Sequence, residues 1–207
     1  MCRRYILGID PSGNYSEGKG TTGWCLLDSE SGKIAKFGAI KAKDYASQYE
    51  YWDAHLKLID SLAGYQPEII IEDYQLYAHR ATDQINSKLE TPRLIGIIEY
   101  ECWMRSIPLY KELATVAKTR WNEPILEHKG YLKKKGLKWC ISQKDGKELI
   151  EVPDHIRDAL KHAVHRYTFR KEETNVRRRT NTTRTRKESG GVRSGHTKYG
   201  RRSVRYS

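Results

Sequence analysis

Two short apolar runs constrain this chain more than any other feature. Arg3 to Asp10 carries Tyr5, Ile6, Leu7 and Ile9 in near-continuous succession, and Glu68 to Tyr74 (EIIIEDY) is the most hydrophobic short stretch present. Runs of this kind read as strands covered on both faces. Each ends in acid, Asp10 in the first and Glu72 and Asp73 in the second. Two buried strands therefore deliver carboxylates at their carboxyl ends.

The elements between them are legible from turn residues and periodicity. Pro11 to Asn14 turns the chain, a polar segment runs to Gly20, and Thr21 to Asp28 (TTGWCLLD) predicts a second strand. After a turn at Ser29 to Gly32, Lys33 to Ile40 predicts a third, completing an antiparallel meander. Tyr45, Tyr49, Trp52, Leu56, Ile59 and Leu62 recur at three and four residues, which predicts an amphipathic helix over Asp44 to Leu62, ended by Gly64 and Pro67. Thr91-Pro92 is a helix start with Thr91 as N-cap. The helix it opens, to about Arg105, is apolar on nearly every side, more than one core-facing stripe accounts for. Ser106 to Glu112 suits an edge strand. Residues 113 to 150 show no clear period and contain a basic cluster at Lys133, Lys134, Lys135 and Lys138. Pro153 to about Phe169 predicts a final helix with Ile156, Ala159, Leu160, Ala163, Val164 and Tyr167 on its core stripe.

Charge divides the chain in two. Of 207 residues, 38 are Lys or Arg and 26 Asp or Glu, a net of +12. Fourteen of the basic and three of the acidic side chains fall between Arg166 and Ser207, so nearly all the excess is in the tail. That tail, with Arg177, Arg178 and Arg179 at its densest point, has too few aliphatic residues to offset ordering and is expected to be disordered alone, holding phosphates without reading sequence. The expected organisation is one domain over 1–170 and a basic tail over 171–207. There is no apolar run of membrane-spanning length, and the charged residue closing MCRRYILGID comes too soon for a signal-peptide core, so a cytosolic protein without membrane contact is expected. Cys2, Cys25, Cys102 and Cys140 are widely spaced, read as reduced, and form no zinc-type pair.

The last helix adds chemistry to its core stripe. His155 and Asp158 share a flank one turn apart, whereas Asp154 points further toward solvent and reads most simply as the N-cap. A helix packed near the strand ends would bring His155 and Asp158 to Asp10 and Glu72. Carboxylates gathered so closely call for cations, and two hard divalent ions in such a cleft are the usual clamp for attack on a phosphodiester. Taken singly, each residue has a plainer reading: Asp10 as a turn former before Pro-Ser-Gly, Glu72 as an edge carboxylate, His155 as a first-turn surface residue.

In this order, ILGIDPS, TTGW, IIIED and HIRDALKHA resemble the RuvC family of Holliday-junction resolvases, within the RNase H-like nucleases. The resemblance spans roughly residues 3 to 170. It implies an α/β RNase H-like fold with a mixed five-stranded sheet flanked by helices. It implies Asp10, Glu72 and Asp158 as catalytic carboxylates, His155 as the fourth metal ligand with Asp154 as fallback, and Lys118 in TVAKTRW as a catalytic lysine. It further implies Mg2+ as cofactor with Mn2+ able to substitute, Tyr74 and Tyr77 as DNA contacts, four-way junctions as substrate, and a homodimer. The closing motif reads HxxD in place of the usual DxxD. The insertion Gly13 to Gly20 and the cationic tail depart from the compact bacterial members and resemble a phage-type version acting in a bacterial host cytoplasm.

The surplus apolar side of the helix over 92–105 is the expected dimer seam. Lys133, Lys134 and Lys135 are further DNA-binding candidates. Two alternatives stay open: an RNase H-like nuclease acting on RNA–DNA hybrids or other DNA structures, and a non-catalytic nucleic-acid-binding protein. Actin-like kinases share a strand, Asp and Thr-Gly opening, but they need two such domains.

Overall fold

The computed structural model describes residues 4–75, 89–143 and 148–188, with side chains as far as 173 except at 143. Its main sheet contains β1 (Tyr5–Asp10), β2 (Thr21–Asp28), β3 (Ile34–Lys41), β4 (Glu68–Asp73) and β5 (Leu109–Leu113). They lie in the order β3-β2-β1-β4-β5. The first three pair antiparallel as a meander, while β4 and β5 join in parallel. The mixed five-stranded sheet expected from the sequence is the sheet observed.

Alternation along these strands sorts the core into two layers. Leu7, Ile9, Leu26, Ile69 and Ile71 face helices α1 (Gln48–Ser61) and α2 (Glu90–Met104), packing with Tyr51, Ile59, Leu94 and Ile98. Ile6, Cys25, Leu27 and Ile70 face the other way, toward Ile156, Ala159, Leu160, Ala163 and Val164 of α5 (Asp154–Glu188). By the same parity Asp10, Glu72 and Glu112 face α5. Cys25, Cys102 and Cys140 are buried free thiols.

Two glycines let α5 lie against the sheet backbone. A Cβ on Gly8 would stand 2.1 Å from the Ala159 carbonyl oxygen, and one on Gly23 would stand 2.1 Å from that of His155. Gly23 pairs with Asp10 across β1 and β2, so the contact lies beside the strand-end carboxylate.

Several boundaries differ from the sequence reading. Helix α1 begins at Gln48, not Asp44: the Ser47 hydroxyl accepts the Glu50 N–H at 3.2 Å, and Ala42–Asp44 forms a separate 3-10 turn. Thr91 is not an N-cap, because α2 starts a residue earlier. The Thr91 hydroxyl accepts the Gly13 N–H at 2.9 Å, and the Glu90 carboxylate accepts the Ser16 N–H at 3.2 Å, tying down the loop after β1. Asp154 is the first helical residue, not the cap, since the first α5 hydrogen bond runs from the Arg157 N–H to the Pro153 carbonyl at 3.2 Å.

The segment without a readable period holds α3 (Ala114–Arg120), α4 (Glu123–His128) and a second sheet of β6 (Lys133–Lys135), β7 (Lys138–Gln143) and β8 (Glu148–Glu151). These elements are too short to show periodicity. Helix α5 runs past Phe169, where its apolar stripe ends. The chain divides into compact units Met1–Phe169 and Arg170–Ser207, and the second is helical to Glu188.

The close packing of α5 generates a prediction. Gly23→Ala or Gly8→Ala forces the helix off the sheet and is expected to lower stability by about 1–3 kcal/mol. Gly96→Ala, on an exposed helical position with open space around it, should raise stability by about 0.5–1 kcal/mol. Urea denaturation of the three variants checks this ordering.

Candidate active site

Three elements bring carboxylates to one point at the carboxyl end of the sheet. Asp10 ends β1, Glu72 lies near the end of β4, and Asp158 is in the second turn of α5. Between them stands the ammonium of Lys118 on α3, the short helix that follows β5 directly. Its Nζ lies 2.7 Å from Asp158 Oδ2, 2.8 Å from Glu72 Oε2 and 3.7 Å from Asp10 Oδ1. His155 closes the arrangement, with Nδ1 2.6 Å from Asp10 Oδ2. Five of the residues singled out in the sequence, Asp10, Glu72, Lys118, His155 and Asp158, are thus neighbours. Asp154 is not among them, because its carboxylate turns outward to Arg157 at 2.7 Å.

The ionisation of the cluster is uneven. Burial pushes the Asp10 carboxyl up to about 6, with the adjacent Glu72 adding to the rise and the His155 hydrogen bond opposing it. Burial acts upward on Glu72 too, but hydrogen bonds with His162, Asp10 and Lys118 outweigh it and hold that carboxyl down at about 2. For Lys118 desolvation acts downward, yet its bonds to Asp158 and Glu72 prevail and keep the ammonium charged. His155 is raised by its bond to Asp10.

Further groups hold the cluster in place, and the sequence reading missed them. His162, fully buried, bridges Glu72 (Nε2 to Oε2, 3.1 Å) and Glu112 (Nδ1 to Oε2, 2.8 Å), and His165 also binds Glu112. Glu112 sits beside Glu72 because β4 and β5 pair them in register, and the imidazole separates two like charges. Despite its burial His162 is raised by these two carboxylates. Lys161 donates to Asp158 Oδ1 and to Glu123 Oε1, both at 2.8 Å. A signal was present: His162 lies seven residues after His155, on the same helical face.

On the opposite side of the sheet, the Ser12 N–H donates to the Thr22 hydroxyl at 3.1 Å and Tyr51 donates to the Ser12 carbonyl at 2.6 Å. His55 Nε2 meets that hydroxyl at 2.8 Å. The turn leaving Asp10 is therefore fixed from behind.

Of the remaining candidates, Tyr74 borders the carboxylates and the others lie on the second sheet or outside the described residues. Tyr74 is half-buried and lines a cavity of about 150 Å3 with Pro11, Glu72, Thr91 and Ala114. Lys133, Lys134 and Lys135 are exposed on β6. Tyr77 and the side chains of Arg177, Arg178 and Arg179 lie outside the described residues.

A mixed five-stranded sheet with carboxylates at adjacent strand ends, closed by a helix carrying a third, is an RNase H-like fold. Within that class it is the fold of RuvC. The chain superposes on T. thermophilus RuvC in complex with Holliday junction substrate with a TM-score of 0.55 and 16% identity, over 80% of this chain and 94% of that one. A second Thermus thermophilus RuvC structure matches with a TM-score of 0.51 and 17% identity, over 81% and 96%. No protein-family model and no curated protein matches the sequence. No described helix is long and apolar enough to cross a membrane.

Asp10 and His162 should have opposite effects on stability. The raised Asp10 carboxyl binds its proton more tightly folded than unfolded, so its contribution is most favourable below about pH 4 and declines as pH rises through about 6. Asp10→Asn removes that penalty and is expected to raise the melting temperature at pH 7.5 but not at pH 4. His162→Ala leaves the half-buried Glu72 and Glu112 each short of a partner and is expected to cost about 1–3 kcal/mol at pH 7. Thermal denaturation at the two pH values, and urea denaturation at pH 7, check the pair.

Proposed function

We propose that this protein is a divalent-metal-dependent endonuclease that cleaves branched DNA. The observation that carries the reading is the convergence of Asp10, Glu72 and Asp158 on one cationic point at an accessible end of the sheet. Among the described residues no three acidic, imidazole or thiol groups are spaced to bind an ion as they stand, the centre being held by the Lys118 ammonium. The donor set nevertheless fits hard divalent cations, since it is made of carboxylate oxygens with one imidazole beside them. Asp10, Glu72, Asp158 and His155 would hold Mg2+ or Mn2+.

When bound, such ions lower the pKa of a water nucleophile and stabilise the leaving oxygen of an in-line phosphodiester displacement. The chain's own groups do the rest. Asp10, least compensated of the three, supplies the central negative charge. Lys161 fixes the outer oxygen of Asp158, and His162 holds Glu72 through the same Oε2 that meets Lys118, so these carboxylates do not have to reorganise during reaction. Lys118 supplies positive charge for the phosphate under attack.

Support for a branched substrate comes from the RuvC neighbour, which was solved with a Holliday junction substrate. An exposed apolar patch on α2 supports a homodimer: Tyr100 and Trp103 are 60% and 72% accessible, with Met104 beside them. A twofold pair would place two sites on the symmetric strands of a junction. The basic residues after Arg170 extend the grip on phosphates.

The deciding assay incubates labelled four-way junction, duplex, flap and RNA–DNA hybrid with the full chain, with and without Mg2+. Symmetric nicking of the junction that requires Mg2+ is expected. Asp10→Asn should retain junction binding and lose cleavage, and His155→Ala and Asp158→Asn should be severely impaired. Asp154→Asn should be near wild type. Cleavage by Asp10→Asn at a tenth or more of the wild-type rate would overturn the assignment, and preference for the hybrid would move the substrate to RNA–DNA duplexes. Trp103→Glu should sediment as a monomer if α2 forms the seam.

A further inference from the structure

The second sheet carries a surface feature that the carboxylate cluster does not use. Strands β6 and β7 pair antiparallel, Lys134 opposite Trp139 and Lys135 opposite Lys138, leaving Gly136 and Leu137 as a two-residue turn. Gly136 has φ of 63° and Leu137 does not share the positive φ, the pattern of a type II′ hairpin turn. Leu137 is 96% accessible, above every other large apolar side chain described. It does nothing for the fold there, and a polar residue would serve the turn as well.

The hairpin is firmly rooted. Leu132, Cys140, Ile141 and Val152 at its base are buried, three of them in the core layer under α5. Its direction is set by register. Cys140 pairs with Glu151 and the Val152 N–H donates to the Trp139 carbonyl at 2.9 Å, so the strands run on past the point where the chain leaves β8 for α5. Leu137 lies two residues beyond Trp139, about 7 Å further at the usual rise. The tip thus projects from the end of the small sheet at which α5 begins, and His155 is in the first turn of that helix.

From the exposed lysines along one strand and the apolar tip beyond them we propose that the β6–β7 hairpin is a branch-sensing wedge. Lys133 and Lys135, on one face of β6, follow the phosphates of one duplex arm, while Lys134 on the other face lies over the Trp139 ring. Leu137 stacks on the terminal base pair where the strands part. An apolar side chain inserted between stacked bases must unstack them, whereas at a branch point the face of the last pair is already open. Leu137 therefore favours branched over continuous DNA at a site near the carboxylates. The wedge rests on the reading of this protein as a nuclease of branched DNA and names the element by which it selects the branch.

The test uses full-length protein carrying Asp10→Asn, so that DNA stays intact. Its probes are a four-way junction with 2-aminopurine beside the branch point and a continuous duplex of equal length. Adding Leu137→Asn should weaken junction binding about tenfold and abolish the rise in 2-aminopurine fluorescence, while duplex affinity and melting temperature stay unchanged. Replacing Lys133 and Lys135 by Ala should weaken both substrates and flatten the slope of log K against log salt by about 2. Full junction preference and fluorescence rise in Leu137→Asn would overturn the wedge. Absence of both in the parent would overturn it as well. Neither readout needs cleavage, so failure of the nuclease reading shows separately, as uncut DNA with wild-type protein and Mg2+.

Discussion

The site depends on one close contact, the seating of helix α5 on the backbone of β1 and β2 at Gly8 and Gly23. With a Cβ at either position 2.1 Å from a helix carbonyl, the helix could not lie where it does. The bond from His155 to Asp10 is 2.6 Å, and hydrogen bonds weaken steeply beyond about 3.2 Å, so a shift of one ångström would separate the two halves of the cluster. A packing detail of two strands thus decides whether a strand carboxylate and a helix carboxylate can share a cation.

Once seated, the helix creates an electrostatic problem that the surrounding side chains solve unequally. Asp10, Glu72, Glu112 and Asp158 are gathered where water is scarce, and a buried charge is tolerated only when paired. Glu72 has both His162 and Lys118 on its Oε2, and Asp158 has Lys118 and Lys161 on separate oxygens. Glu112 has two imidazoles. Asp10 has His155 at hydrogen-bond distance and Lys118 only at 3.7 Å, and burial pushes its carboxyl upward. The protein leaves its negative charge least compensated at the position where a divalent ion would gain most.

Much of this was legible in the sequence. The strand-end acids could be read from YILGID and EIIIED because buried strands are short, continuous and abruptly terminated. The side-by-side placement of His155 and Asp158 followed from helical geometry, and Thr21 to Asp28 is the strand observed. The sheet glycines were visible, but their purpose was not, since close approach depends on a helix more than 130 residues away in the chain. His162, Glu112 and Lys161 went unread for a related reason: each acts by bridging elements whose register the sequence does not state. Residues 113 to 150 resisted because strands of three, four and six residues, one of them all lysine, are too short to show alternation. Thr91 and Asp154 looked like caps by residue type, whereas the Gly13 N–H from across the fold engages Thr91 and Arg157, one turn along the same helix, engages Asp154.

The claim on which the account turns is that these carboxylates form a divalent-cation site assembled around Asp10. Its most direct test is Mn2+ binding to the DNA-free protein, followed by the loss of the free-ion electron paramagnetic resonance signal. The account predicts binding by wild-type protein and by Asp154→Asn, and its loss in Asp10→Asn although that variant is folded. Equal Mn2+ binding by wild type and Asp10→Asn would contradict it.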